Sequence, residues 1–321
     1  MWRYIVRRLL WVVVVLLIIT AITFVIFFVM PPTDPATTFG GRSPTPELIA
    51  EIERQFGLDK PVYVQYGLWL KHLVFGDEYG WPGLGFSYAT RTPIRELLLD
   101  RLPITITLAV GAALVWLCIG IPIGVISAVK RRSLVDRASM SMALFFVSAP
   151  VFWLGLMALW VFWYKLKVSP GTGYVPISQS FTGWFSHMIL PWTVLALLYA
   201  AFYARMTRGN LLDTLGQDYI RTARVKGLPE RTVVLKHGLR ASLTPLVTMF
   251  GLDLGGLIGG AVITETVFNL QGVGQWAVQS VFKGDLPAVL AVTIVTAMAI
   301  TLASLLVDIV YAYLDPRVRY A

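Results

Sequence analysis

The chain has 321 residues, 56% of them hydrophobic and only 14% charged, against about 45–50% apolar and about 25% charged in soluble globular domains. With a mean hydropathy of +0.69, a soluble enzyme is excluded and the class is polytopic membrane protein. The net charge of +9 does not make it a nucleic-acid binder, because the basic residues lie between apolar runs instead of on a soluble domain with aromatic or groove-reading elements.

The N-terminus opens like a signal peptide, with Arg3, Arg7 and Arg8 before an apolar stretch. That stretch stays uncharged as far as Thr33 and no small-residue cleavage site follows, which reads as an uncleaved anchor. Stretches free of Lys, Arg, Asp and Glu, two of them interrupted by one aspartate, give six predicted spans: Leu9 to Met30, Pro103 to Val129, Ser139 to Tyr164, His187 to Ala204, Ala241 to Thr264 and Pro287 to Tyr313. Alternate segments (the N-terminus, Lys130 to Arg137, Arg205 to Arg240 and the tail with Arg317 and Arg319) hold 17 of the 27 basic residues. By the positive-inside rule both termini are expected in the cytoplasm. The first outer loop, residues 31–102, is too long for a simple connection. A helix-like stretch within it, Pro46 to Phe56, carries Leu48, Ile49, Ile52 and Phe56 on one face, which predicts a small folded cap on the outer surface.

Within the spans, Pro122, Pro150 and Pro191 predict kinks. Trp153, Trp160, Trp163 and Tyr164 read as lipid-facing or interfacial anchors. Cys118 is the single cysteine and lies inside a span, so neither a disulfide framework nor a thiolate metal site can be built. His72, His187 and His237 fall far apart in sequence, which argues against a shared metal site.

The connector between spans four and five, residues 205–240, has the local grammar helix, break, helix. Gly227 suits the left-handed position that ends a helix, and Pro229 with Glu230 suits the first turn of the next. A basic loop lying on lipid headgroups accounts for its charge. A capped elbow equally accounts for a docking knob that passes a soluble partner's rigid-body motion to the spans, with small Ala223 and Gly227 allowing close approach and Arg221 and Arg224 offering charge-assisted contacts.

Span five carries Gly251, Gly255, Gly256, Gly259 and Gly260. At 100° per residue Gly251, Gly255 and Gly259 share a face within about 80°, while Asp253 lies about 200° from Gly251, beside Gly256 and Gly260. One slim face suits helix packing; the other places a carboxylate beside bare backbone in mid-span, either lining a pore, serving a second subunit, or standing as a neutral or paired structural acid. Asp308, toward the end of span six, reads as a structural or interface residue.

The connector's wording, Arg221-Thr-Ala-Arg-Val-Lys-Gly-Leu followed by Lys236-His-Gly-Leu-Arg, resembles the cytoplasmic EAA loop of ABC-importer permeases in the peptide and nickel branch. Similar matches are Gln55-Phe-Gly-Leu-Asp-Lys-Pro in the first loop, Gly255-Gly-Leu-Ile-Gly-Gly-Ala-Val-Ile-Thr-Glu-Thr-Val-Phe at the end of span five, and Leu314-Asp-Pro-Arg-Val-Arg-Tyr. Arg221 stands where the general motif has glutamate, and Glu78 to Gly83 reads like an insertion beside the family-like Gly85-Phe-Ser-Tyr88. The resemblance implies an all-α membrane protein with six helices in the type I ABC-importer permease fold, one transmembrane domain over residues 1–321. It further implies a permease subunit importing di- or oligopeptides across the bacterial cytoplasmic membrane. Its implied partners are a second homologous permease, two nucleotide-binding ATPases carrying ATP and Mg, and an extracytoplasmic solute-binding protein, with membrane lipid around it and no nucleic acid.

On this reading Arg221, Thr222, Ala223, Arg224, Gly227, Leu228 and Glu230 couple the ATPases, and Asp253, Gly256 and Gly260 line the substrate path, where a peptide amine is the obvious cation. No Gly-x-x-x-x-Gly-Lys-Ser/Thr phosphate loop occurs in the chain, and no catalytic constellation is evident, so the chain is expected not to be an enzyme or to bind a cofactor. Alternatives are nickel or another small solute, a gradient-driven secondary transporter, opposed by the scarcity of intramembrane ionisable groups, and a non-transporting scaffold, which leaves the elbow and the glycine-rich span without a purpose.

Overall fold

In a membrane each backbone amide and carbonyl must be satisfied within its own segment, and the apolar runs accordingly form helices. The computed structural model describes residues 2–30, 37 and 45–314; the C-terminal motif from Asp315, the tail arginines, residues 31–36 and 38–44 of the first loop, and the side chains of Leu48, Gln55, Phe56 and Asp308 lie outside what is described. Four helices are long and apolar enough to span a membrane alone, covering Val6–Val29, Ile94–Val129, Phe181–Leu215 and Leu286–Val307. Two further helix pairs are bent, Leu134–Ser148 with Val151–Lys165 at 103° and Glu230–Ser242 with Thr244–Ile258 at 51°, and counting each pair as one span gives six. These segments overlap the six charge-free stretches, although most of Glu230–Ser242 belongs to the connector, and the bends have local causes. Ala149 is extended (φ −78°, ψ 130°) ahead of Pro150, as a residue before proline prefers, and Pro245 brings no amide to the turn after Leu243. Pro191 lies inside an unbroken helix, and so does Pro122.

The chain divides into two compact units. The first comprises Met1–Ile106, Gly255–Glu265 and Gln271–Leu305. It contains α1 (Trp2–Phe24), α2 (Pro46–Phe56), α3 (Val62–Phe75), a two-residue hairpin β1 (Phe86–Ser87) and β2 (Thr92–Pro93), and the start of α4 (Ile94–Val129). The expected loop helix is present as α2, and Ile52 on its apolar face is fully buried against Phe24, Phe28 and Trp69. Helix α3 is nearly all apolar and went unread in the sequence because its periodicity is weak. The stretch from Glu78 to Gly83 closes on Asp77, whose carboxylate accepts from the amides of Tyr79 at 2.9 Å and Gly85 at 2.8 Å. Beyond it, buried Ser87 donates to Asp285 at 2.5 Å.

The second unit comprises Thr107–Leu254, Thr266–Leu270 and Leu306–Ala321. Here lie the rest of α4, α5 (Leu134–Ser148), α6 (Val151–Ala158) with a π-helical extension Leu159–Lys165, and α7 (Phe181–Leu215). Gly111, Gly120 and Gly124 on α4 let α7 approach so closely that a Cβ on Gly111 would stand 2.0 Å from the Trp192 ring and one on Gly124 would stand 2.6 Å from the Ala204 carbonyl. Trp153, Trp160, Trp163 and Tyr164 are exposed, as expected of residues facing lipid.

Asp136 and Arg208 join α5 to α7. The guanidinium donates to both carboxylate oxygens, at 2.7 and 2.9 Å, and Ser127 and the Arg132 amide also donate to that carboxylate. The Asp136 side chain is 5% exposed. Removing one member of so buried a pair strands the other and costs about 3–5 kcal/mol, whereas removing both costs less. Arg208→Ala is expected to lower the melting temperature of the purified protein sharply, and Asp136→Ala with Arg208→Ala to recover part of that loss; additive losses in a thermal-melt double-mutant cycle would refute the clasp.

Candidate functional site

The connector folds as an elbow within the second unit. Helix α8 (Asp218–Val225) ends at Gly227, whose φ of +77° is the left-handed conformation expected there. The amides of Gly227 and Leu228 bond back to the carbonyls of Arg224 and Ala223. After Pro229 the chain re-enters a helix as α9 (Glu230–Thr232), continues π-helical through Val233–Leu239, and passes through α10 (Arg240–Ser242) into α11 (Thr244–Ile258).

Two apolar contacts hold the elbow. Ile220 and Ala223 pack on Val233 and Leu215, and Val234 packs on Val125, Ala128 and Leu211 at the ends of α4 and α7. Arg224 and Glu230 clasp the elbow's two arms with paired bonds of 3.1 and 2.7 Å. Both side chains are substantially exposed, at 42% and 57%, so the clasp orients the arms more than it stabilises them. The Arg224 guanidinium holds the Glu230 carboxyl below the usual carboxylate range.

Of the residues predicted for coupling, Ala223 is inside the elbow, where its small size admits Val233 instead of an outside partner. Thr222 bonds its own helix through the Asp218 carbonyl. Arg221 faces outward with a loose 3.6 Å contact to Asp218. The outer face also carries Val225 at 87% exposure, Tyr219 and Leu228; Val225 and Tyr219 were not singled out in the sequence, although apolar residues placed between charges on a short helix are a readable signal.

The residues predicted for the membrane path divide. Asp253 on α11 is half-buried, accepts a 2.8 Å hydrogen bond from Tyr203 Oη of α7, and lines a cavity with Tyr199. A carboxylate at this depth costs at least about 2.5 kcal/mol unless it meets a cavity or a partner. Gly256 is exposed, with open space where a Cβ would be. Gly260 has left the helix: α11 ends at Ile258, short of the predicted Thr264, and Gly260 adopts φ +119° with its backbone pressed against Gly274. Glycine is needed there both for conformation and for contact. On the other face Gly255 packs against Ala303 and Ile300, and Gly259 packs against Thr296, as the small-residue pattern predicts.

Glu265 was passed over in the sequence. It sits on α12 (Val262–Val267), fully buried, and accepts from Thr105 Oγ1 at 2.8 Å and from the Gln275 amide at 2.8 Å at the start of α13 (Val273–Lys283). The Gly274 and Ala261 amides also favour its charged form. Thr105 additionally receives the Val273 amide at 2.8 Å. One carboxylate thus gathers α4, α12 and α13 of the first unit. An acid placed directly after a glycine-rich span was the available signal. Burial nonetheless outweighs these donors and pushes the Glu265 carboxyl up, and it does the same to Asp285 at the head of α14 (Leu286–Leu314).

Comparison with known proteins bears on both regions. A family model described as the binding-protein-dependent transport system inner membrane component matches residues 120–320, and one describing the N-terminal part of such membrane components matches residues 1–109. The chain is similar to the dipeptide transport system permease protein DppB of Alkalihalophilus pseudofirmus, 37% identical over 340 residues and all of both chains. It is also similar to DppB of Escherichia coli, 37% identical over 344 residues, covering 100% of this chain and 99% of that one. Among solved structures, the inward-facing MetNI methionine ABC transporter shares the fold, with a TM-score of 0.55 at 20% identity over 70% of this chain and 98% of that one.

Because the native state holds the Glu265 and Asp285 protons more tightly than the unfolded chain does, the stability these two groups contribute is fully present below the ordinary carboxyl range near pH 4 and is lost as pH rises toward the raised native values. Melting temperature measured from pH 4 to 8 should fall across that window, and Glu265→Gln, which cannot titrate, should flatten the decline. The same variant turns an amide N–H toward donors and is expected to cost about 1–3 kcal/mol at pH 5. An unchanged slope would show that Glu265 does not carry the effect.

Proposed function

The chain belongs to the family of binding-protein-dependent transport system inner membrane components, and from that premise we propose that it is the permease through which peptides enter the cell, driven by ATPases docked on the elbow. It is a membrane-embedded permease component of an ABC importer and not the ATPase. The peptide reading is carried by near-complete alignment with two dipeptide permeases.

In the proposed assembly two nucleotide-binding subunits hold ATP and Mg, and a second homologous permease completes the pathway. A solute-binding protein delivers peptide at the outer face, where the segment of residues 31–102 forms the extracytoplasmic cap. The termini and the connector of residues 205–240 face the cytoplasm. Arg221, Thr222, Arg224, Gly227, Leu228 and Glu230, with Val225 and Tyr219 beside them, present the coupling surface, while Ala223 shapes it from within. The elbow suits this work because its contacts run straight into α4 and α7. A push on its outer face therefore moves two spans as a body. Asp253, with Gly256 and Gly260 further along the same segment, supplies the substrate path.

Gentle purification of the tagged chain from its native membrane is expected to recover a second six-span permease and P-loop ATPases, identified by mass spectrometry. Recovery of the chain alone, still transporting in vesicles without ATP, would make it a secondary transporter. Gly227→Val forces a branched residue into a left-handed conformation and should abolish solute-stimulated ATP hydrolysis while leaving membrane insertion intact; normal stimulation would remove the elbow from coupling.

A further inference from the structure

Coupling through the elbow leaves one feature of the second unit unused. Leu198, Tyr199 and Phe202 of α7, Met249 and Asp253 of α11 and Val147 of α5 line an open cavity of about 250 Å³. Asp253 brings the charge to this lining. Its Oδ2 accepts from Tyr203 at 2.8 Å, and among the described residues no cation reaches the carboxylate. Tyr203 is 1% exposed and cannot swing away. Behind it, fully buried Trp116 stacks on Tyr199 with centroids 4.6 Å apart and lies 6.0 Å from Tyr203 and from Phe250, so the tyrosines are fixed by packing. Trp116 Nε1 is buried without a hydrogen-bond partner and stands outside the cavity lining.

A phenol bonded to one oxygen does not neutralise a carboxylate, and a carboxylate in a span does not face hydrocarbon. A ligand that completes it in its charged form carries positive charge and fits beside aromatic faces. An ammonium group meets both conditions: it brings three donors to the carboxylate and is attracted to the faces of Tyr199 and Phe202. The remaining walls, Val147, Leu198 and Met249, are apolar, and thioether flexibility lets Met249 adapt to different shapes. At about 30 Å³ per water, the cavity has room for about eight waters, which suits a group the size of one large or two small amino-acid residues.

We propose that Asp253, Tyr199 and Phe202 form an intramembrane subsite that takes the protonated N-terminal amine of the passing peptide and seats its first side chain against Leu198, Met249 and Val147. Tyr203 is a positioning residue that aims the carboxylate. The subsite rests on the importer reading and adds to it a filter: a free amine is favoured over a blocked one, and a small apolar first side chain fits. Holding one residue by one charge keeps the stop brief enough for the peptide to leave.

The test uses the complete importer with its binding protein in proteoliposomes, following ATP-driven uptake of labelled dialanine, N-acetyl-dialanine and phenylalanyl-alanine. Because the binding protein is the same throughout, a change of ratio between peptides reports the permease. Asp253→Asn keeps an acceptor for Tyr203 but loses the charge; it should lower dialanine uptake about tenfold without lowering N-acetyl-dialanine uptake. Asp253→Glu should restore part of the loss. Tyr203→Phe should raise KM for dialanine several-fold with little change in maximal rate. Leu198→Trp, which fills the cavity, should shift the ratio of dialanine to phenylalanyl-alanine uptake at least about fivefold toward dialanine. Unchanged ratios in every variant of an importer that transports normally would overturn the subsite and leave the importer reading standing. Failure of Asp253→Asn to assemble with the second permease would overturn it too, by making Asp253 a subunit contact. A wild-type complex importing none of these peptides with ATP would remove the peptide reading and the subsite with it.

Discussion

Hydrocarbon offers no hydrogen-bond partners, and that constraint governs this molecule. It turns each long apolar run into a helix and confines irregular backbone to places where the chain can satisfy it locally. The two bends obey the same rule. At Pro150 the flanking amides of Ala149 and Leu154 still find carbonyls in Phe145 and Pro150. Around Leu243, amides of Leu243 and Val247 bond to Leu239 and Leu243. Span five can therefore stop at Ile258 and release Gly260 into a left-handed turn without stranding its backbone, since the Gly259 and Gly260 amides bond back to Gly256 and Leu257.

Acidic side chains face the same scarcity, and three of them meet it in three ways. Asp136 is neutralised by a two-pronged arginine and becomes a joint between α5 and α7. Glu265 is surrounded by neutral donors, two of them backbone amides at the start of α13, and becomes the point where several short elements meet. Asp253 receives a single phenol and opens on a cavity. The first two have several donors from neighbouring elements and join those elements; the third has one donor and an open side, and the proposed subsite rests on that difference.

The elbow shows the opposite economy. Its charges lie at the surface, where a salt bridge contributes little to stability, and its cohesion comes from the apolar cluster of Ile220, Ala223, Val233 and Leu215 together with Val234 on α4 and α7. This arrangement leaves the outer face exposed while the inner face packs on the ends of α4 and α7. The glycine steps on α4 at Gly111, Gly120 and Gly124 draw those two helices together.

Much of this was legible in the sequence, because its cause is local. Apolar length sets a span, a proline removes an amide, Gly227 takes a left-handed turn at the end of α8, and glycines four apart make a slim helix face; each follows from residues near one another in the chain. The family likewise shows in contiguous wording. Tertiary structure alone decided the rest. That Asp136 finds Arg208, that Asp253 meets Tyr203 fifty residues earlier, and that Glu265 collects Thr105 and the Gln275 amide depend on which helix faces which. Ala223 illustrates the limit: its smallness was visible, but whether it admits a partner or its own neighbour Val233 is fixed only when the two arms of the elbow close, since a side chain's role depends on what packing places against it.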